Sequence, residues 1–218
     1  STKQNESFYS SVLDKNGKMI LGLANMDDYQ KTINYKKIIN CIDKKIILDL
    51  NLSQNLINQI IKNNSKRNYI CVCGTSAHKV YKIKNLLSKI DTIILNKQEG
   101  FSLTKTNSIK ETMKYLIKKN KKLNIIITNG KNSVIANINN KKYLIYPPTT
   151  VIKNENGAGD ALTAIYNYFY CNSNNILDTL KKSVCGGLLQ AAGYQSTKKK
   201  YLLKINKISK SIKFKINS

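Results

Sequence analysis

The strongest constraint on the fold is an alternation along the chain. Short apolar runs at 45–50, 69–72, 92–95 and 124–128 are separated by longer stretches, 53–63, 78–88 and 108–119, in which apolar residues recur at helical spacing. Short continuous apolar runs suit strands buried on both faces of a sheet. Ser53 and Ser108 stand where a helix needs a side-chain acceptor for its first unpaired amides. Strand, helix and strand in this order predict βαβ units. The expected fold is therefore α/β, with a mostly parallel central sheet flanked by helices on both faces.

Two hairpins frame that core. Residues 8–13 and 19–24 are joined by Asp14-Lys15-Asn16-Gly17, whose Asn-Gly pair tolerates the positive φ of a tight turn. Residues 134–138 and 142–146, bridged by Asn139-Asn140-Lys141, form the second, and Pro147-Pro148 ends regular structure there. A strand-like stretch at 149–153 precedes two helical segments, 160–170 and 176–192. The lysine-rich tail from Lys198 is expected to be loosely held. No Gly, Pro or Ser-rich linker and no repeat divides the 218 residues, so one domain is expected.

A formal charge of +25 would ordinarily point to nucleic acid or an anionic membrane. Of the 37 basic residues, however, only Arg67 is an arginine, and the lysines are dispersed among Asn and Ile along the whole chain. All three residue types are written in A/T-rich codons, and a base-reading surface favours arginine's bidentate fork. Nucleic acid is therefore not the expected partner. Five cysteines without a Cys-x-x-Cys pair, together with a single histidine, argue against a zinc site and suit a reducing cytoplasm. No apolar run reaches the roughly 18 residues of a membrane span, and residues 1–7 are polar, so a cytoplasmic protein is expected.

The densest chemical signal is Asn154-Glu155-Asn156-Gly157-Ala158-Gly159-Asp160 at the start of a helix. Small residues let backbone amides approach an anion, and a helix N-terminus directs unpaired N–H groups and a positive dipole end at it. Asp160 can then serve as general base toward an acceptor hydroxyl. The same string also reads as a glycine-containing turn with Asp160 capping the helix. Asn96-Lys97-Gln98-Glu99 follows one strand, so Asn96 and Glu99 can hold the waters of Mg²⁺ or simply open a helix. Thr128-Asn129-Gly130 follows the next strand, where Thr128 and Gly130 can meet a nucleotide or form an isolated turn.

The order of these strings (Asn-x-x-Glu, Thr-x-Gly, a hairpin, then Gly-Ala-Gly-Asp) resembles the PfkB, or ribokinase-like, family of carbohydrate and nucleoside kinases. Gly22-Leu23-Ala24-Asn25-Met26-Asp27-Asp28-Tyr29-Gln30, Asp49-Leu50-Asn51-Leu52 and Thr75-Ser76-Ala77-His78-Lys79 look most like pseudouridine kinases. The resemblance implies a ribokinase-like domain with a lid hairpin in 1–30, an α/β core in 31–197 and a tail in 198–218. It implies ATP and Mg²⁺, a monovalent cation such as K⁺ held by carbonyls near the signature, and a nucleoside or sugar acceptor. Asp160 would be the catalytic base toward a 5′-hydroxyl. Gly157, Ala158 and Gly159 would form the anion hole, Asn96 and Glu99 would position Mg²⁺, and Thr128, Gly130 and Asn156 would line the ATP site. Another sugar or nucleoside acceptor, and a remnant that only binds nucleotide, are the alternatives within this reading.

Departures from the family pattern are visible. Asn156 replaces a usual Thr, Ser133 stands at a frequent glycine, and Ile165 occupies a position normally held by glycine, where its bulk is expected to press on the neighbouring helix. The family's N-terminal region has no counterpart before Ser1, an expectation of truncation that would expose a sheet edge able to pair with another chain, as in a homodimer. His78 and Lys79 are expected at a polar helix start, and Tyr115, Tyr143, Tyr166 and Tyr168 as packing residues.

Overall fold

The computed structural model describes residues 8–14, 19–25, 41–194 and 200–217. Strands β1 (Phe8–Leu13) and β2 (Met19–Asn25) pair antiparallel, Phe8 opposite Asn25, as a separate two-stranded sheet. The Asn16-Gly17 turn expected between them lies outside the described residues, as does the end of the string that runs to Gln30.

The main sheet has seven strands in chain order: β3 (Lys45–Leu48), β4 (Tyr69–Cys73), β5 (Thr92–Asn96), β6 (Asn124–Thr128), β7 (Val134–Ile138), β8 (Lys141–Tyr146) and β9 (Lys213–Asn217). β3 through β6 run parallel, and β7, β8 and β9 continue the sheet antiparallel. The helices are α1 (Gln54–Asn64), α2 (Lys97–Thr104), α3 (Ile109–Lys119), α4 (Ala158–Tyr170), α5 (Ile176–Ala191) and α6 (Lys200–Ser209).

Two cores fall on opposite faces, and the period of two in the strands assigns each residue to one of them. Ile70, Val72, Ile93, Leu95, Ile125 and Ile127 pack with Ile57, Ile60, Ile61 and Leu116 of α1 and α3. Cys71, Ile94 and Ile126, the intervening residues, pack with Leu162, Tyr166, Leu180, Val184 and Ile205 of α4, α5 and α6. This is why β4, β5 and β6 read as unbroken apolar runs. Ser53 and Ser108 do cap α1 and α3, each Oγ accepting from the amide three residues on.

Three expectations give way. The 78–88 segment is not an α-helix but two short 3₁₀ turns, Val80–Ile83 and Leu87–Lys89. The carbonyl of Lys82 accepts from the Gln54 side chain at 2.7 Å, and the Lys82 ammonium donates to the carbonyls of Leu50 and Leu52. These long-range bonds replace the α-helical ladder. Residues 149–153 form no strand: the amides of Lys153 and Asn154 both donate to the Ala191 carbonyl at the end of α5. The tail is not loosely held. α6 buries Tyr201 and Ile205, the Tyr201 hydroxyl donates to the Gly186 carbonyl at 2.6 Å, and the whole of β9 pairs with β8, Lys142 opposite Asn217 through Tyr146 opposite Lys213. In the second hairpin Asn139 and Asn140 take positive φ, 51° and 62°, as expected of a two-residue turn.

Candidate active site

The C-terminal ends of the parallel strands lie side by side, Asn96 of β5 level with Thr128 of β6. Open α/β sheets bind ligands outside this edge. Three carboxylates converge there from three elements.

Glu99 comes from α2, whose start is a reciprocal capping box. Asn96 Oδ1 accepts from the Glu99 amide at 2.9 Å, and Glu99 Oε2 accepts from the Asn96 amide at 2.7 Å. Glu99 is 4% exposed, and its carboxyl lies directly over Gly74, where a Cβ would collide with it. Asn96 and Glu99 thus form the structural lock of a helix start, the second of the two readings their spacing allowed.

Asp160 comes from the first turn of α4. Gly157 precedes that helix with φ +76°, a left-handed conformation that glycine adopts without penalty. One turn beyond Asp160, Thr163 donates to Cys73 Sγ at 3.2 Å, which fixes this end of α4 over the end of β4. Nothing lies within 4 Å of a Cβ built on Gly159, so that face of the turn is open. The Ala158 amide is turned back to the Glu155 carbonyl at 3.2 Å.

Asp49, just past β3, is the third carboxylate, and the motif reading had not singled it out as a site residue. It accepts from the Asn51 amide and side chain at 3.1 and 2.7 Å. Its signals were an acidic residue at a strand's C-terminal end and its place at the head of Asp49-Leu50-Asn51-Leu52. Burial raises the Asp160 carboxyl above its ordinary range, and the Asp49 charge adds to the rise although Asp160 is solvent-exposed. Burial likewise raises Glu99, against the Asn96 amide bond, with Asp160 contributing. Cys73, buried beneath them, has its thiol pushed up to about 12, first by burial, with all three carboxylates adding to the rise.

A carboxyl raised in the folded state binds protons there that the unfolded chain has already released. Stability contributed by Glu99 and Asp160 is therefore present in acid and lost as pH rises through their raised range. Glu99→Gln, which can keep the capping box, should weaken that decline. Urea unfolding between pH 4 and 7 checks this; an unaltered slope would show that Glu99 is not the source.

The signature loop also touches the hairpin. Asn156 Nδ2 donates to Ser11 Oγ of β1 at 2.7 Å, across 145 positions of sequence. Ile165, expected to press on the neighbouring helix, meets Gly186 of α5; a Cβ there would be 2.7 Å from Ile165 Cγ1, so the missing side chain admits the isoleucine. Thr128 is half-buried at the end of β6, and Gly130 has φ +56° with open space around it. Thr128 and Gly130 thus share the sheet edge with Asn96.

None of the five cysteines, all of which lie among the described residues, forms a disulfide. Among the described residues no three His, Cys, Asp or Glu side chains converge closely enough to ligate a metal directly, and no helix is long and apolar enough to cross a membrane.

The parallel sheet edge, the glycine-opened helix and the acidic side chains near it describe the site, and the family match makes the chain a phosphotransferase with an alcohol group as acceptor. The chain belongs to the PfkB family of carbohydrate kinases, whose family model matches residues 23–189. Among curated proteins none matches it. The fold is ribokinase-like and is shared with a carbohydrate kinase from Agrobacterium tumefaciens, at 19% identity and TM-score 0.74 over 99% of this chain and 72% of that one. A fructokinase from Vibrio cholerae O395, solved with fructose, ADP and calcium, is similar at 15% identity and TM-score 0.73 over 93% and 72% of the two chains. Phosphofructokinase-2 from Escherichia coli is similar at 12% identity and TM-score 0.67, over 87% of this chain and 65% of that one.

Proposed function

We propose that this chain transfers the γ-phosphoryl group of ATP to the 5′-hydroxyl of pseudouridine, giving pseudouridine 5′-phosphate. One observation carries the choice of acceptor. Two of the three strings that look most like pseudouridine kinases, Asp49-Leu50-Asn51-Leu52 and Thr75-Ser76-Ala77-His78-Lys79, are bonded to each other. The Leu50 amide donates to Thr75 Oγ1 at 2.9 Å, and the Lys79 ammonium donates to Asn51 Oδ1 at 2.7 Å.

In this reading Asp160, at the open first turn of α4, takes the proton of the acceptor hydroxyl, and its raised affinity for protons favours that role. Gly157, Ala158 and Gly159 face the charge of the transferring group; the Ala158 amide must leave Glu155 to take part. Thr128, Gly130 and Asn156 line the ATP, and the hairpin within 1–30 covers the acceptor. Asn96, Glu99 and Asp49 offer hard oxygens, but Asn96 Oδ1 and Glu99 Oε2 already hold the start of α2 and no close ligand triad is present among the described residues, so Mg²⁺ would be held through water. Mg²⁺ supplies charge neutralisation at the phosphates when bound. K⁺ near the signature completes the proposed cofactors.

The test is Mg²⁺-dependent transfer from labelled ATP to pseudouridine, with uridine, adenosine and ribose alongside. Product with pseudouridine above the other acceptors is expected. A preference for another acceptor overturns the nucleoside, and no product from any acceptor overturns activity of this chain in favour of a nucleotide-binding remnant.

A further inference from the structure

A second concavity opens on the outer side of the segment that follows β4. It is a cavity of about 270 Å³ between residues 77–84 and α2, lined by Ala77, His78, Tyr81, Lys84, Ser102 and Lys105, with the buried Leu103 beside them. Ser102 Oγ donates to the Ala77 carbonyl at 2.6 Å and ties the two walls together.

The chemistry of the lining is one-sided. Two ammoniums, an imidazole and a phenol face the space, and no carboxylate does. Among the described residues the close ion pair is Lys182 with Asp178, on α5; Lys84 and Lys105 have no such partner. The neighbouring lysines behave differently, Lys79 and Lys82 turning inward to Asn51 and to the carbonyls of Leu50 and Leu52. Lys105 ends α2 in the left-handed region, φ 58°, a conformation costly to any residue with a Cβ. Glu99 opens the same helix but is committed to Asn96 and Gly74.

We propose that this cavity, between the 77–84 segment and α2, binds a small phosphomonoester. A phosphate offers acceptors only, which complements a wall of donors, and charge-assisted bonds to two lysines from opposite walls give it a defined seat. The volume suits a sugar phosphate rather than a nucleoside triphosphate. The ligand would bridge α2 to the 77–84 segment. The inference does not depend on the identity of the acceptor or on turnover, because its readout is binding.

The test uses the whole chain labelled with ¹⁵N and titrated with ribose 5-phosphate, with ribose as the neutral control and ATP present at saturation. Saturable shifts at the amides of Ala77, Tyr81, Ser102 and Lys105 are expected with the phosphate and not with ribose. Lys84→Gln with Lys105→Gln should weaken the affinity about tenfold or more. Both lysines are exposed, so the remaining spectrum should be unchanged and report an intact fold. Shifts confined to 157–160, displacement by ATP, affinity that survives the double substitution, or no saturable shift at all would each overturn the site.

Discussion

Asp160→Asn should lower phosphoryl transfer by about 10² to 10⁴-fold, the usual worth of a positioned proton acceptor, while leaving the affinity for ATP within about twofold. The substitution is nearly isosteric, so the α4 turn, Gly157 and the Thr163 bond to Cys73 stay in place. It also removes a negative charge that Asp49 and Glu99 both oppose. The thermal midpoint of the variant should therefore be no lower than that of the parent. Lost turnover with retained stability and ATP binding would isolate a proton-transfer role from a folding defect. Turnover equal to the parent's would sink the assignment.

The second large effect concerns the seam between α4 and α5. A Cβ at Gly187 would lie 2.9 Å from the Ala158 carbonyl oxygen and 3.3 Å from Leu162 Cβ. Alanine in a helix interior gains about 0.5–1 kcal/mol over glycine. Overpacking costs about 1–3 kcal/mol, and here the obstacle is backbone, which no rotamer change relieves. Gly187→Ala should thus lose about 1–2 kcal/mol, a fall of several degrees in Tm, roughly 2–4 °C for each kcal/mol in a chain of this size. It should also impair transfer, because the carbonyl it displaces belongs to the first turn of α4, which carries Asp160. Gly186→Ala is the contrasting case. Its obstacle is the Ile165 side chain, at 2.7 Å, so Ile165→Ala should recover most of its cost. A double-mutant cycle reads the coupling directly. Independent, additive losses at 165 and 186 would mean that the two helices have room to separate.

Much of the fold was legible because burial on both faces leaves a strong signature. β4, β5 and β6 serve two cores at once, so neither parity can be polar, and their apolar runs stood out from the lysine-rich background. The serine caps of α1 and α3 were equally readable, being local. What escaped was decided at long range. The periodicity of 78–88 fits an α-helix until Gln54 and the Lys82 ammonium intervene from elsewhere in the fold. α6 and β9 hid behind their lysines: Tyr201 and Ile205 mark a buried stripe that average charge obscures.

The candidate site divides in the same way. Asp160 and Glu99 announced themselves through local strings, and the structure brings both to one crevice. Asp49 stood in a string that looked family-like but carried no assigned role, and its relevance lies in the charge it presents to Asp160. Ile165 looked disruptive in isolation because its complement, Gly186, is 21 positions away on the next helix.

The bond between Asn156 and Ser11 makes the hairpin and the signature loop a single thermodynamic system. If a phosphate at the loop tightens the hairpin's attachment by some factor, then holding the hairpin down must tighten the phosphate by that same factor, because coupling free energy has no direction. The outermost strand pair is thereby a gauge of occupancy at the far end of the sequence. A fluorophore or a crosslink placed on it would then report, or set, the affinity of the loop to which it is bonded.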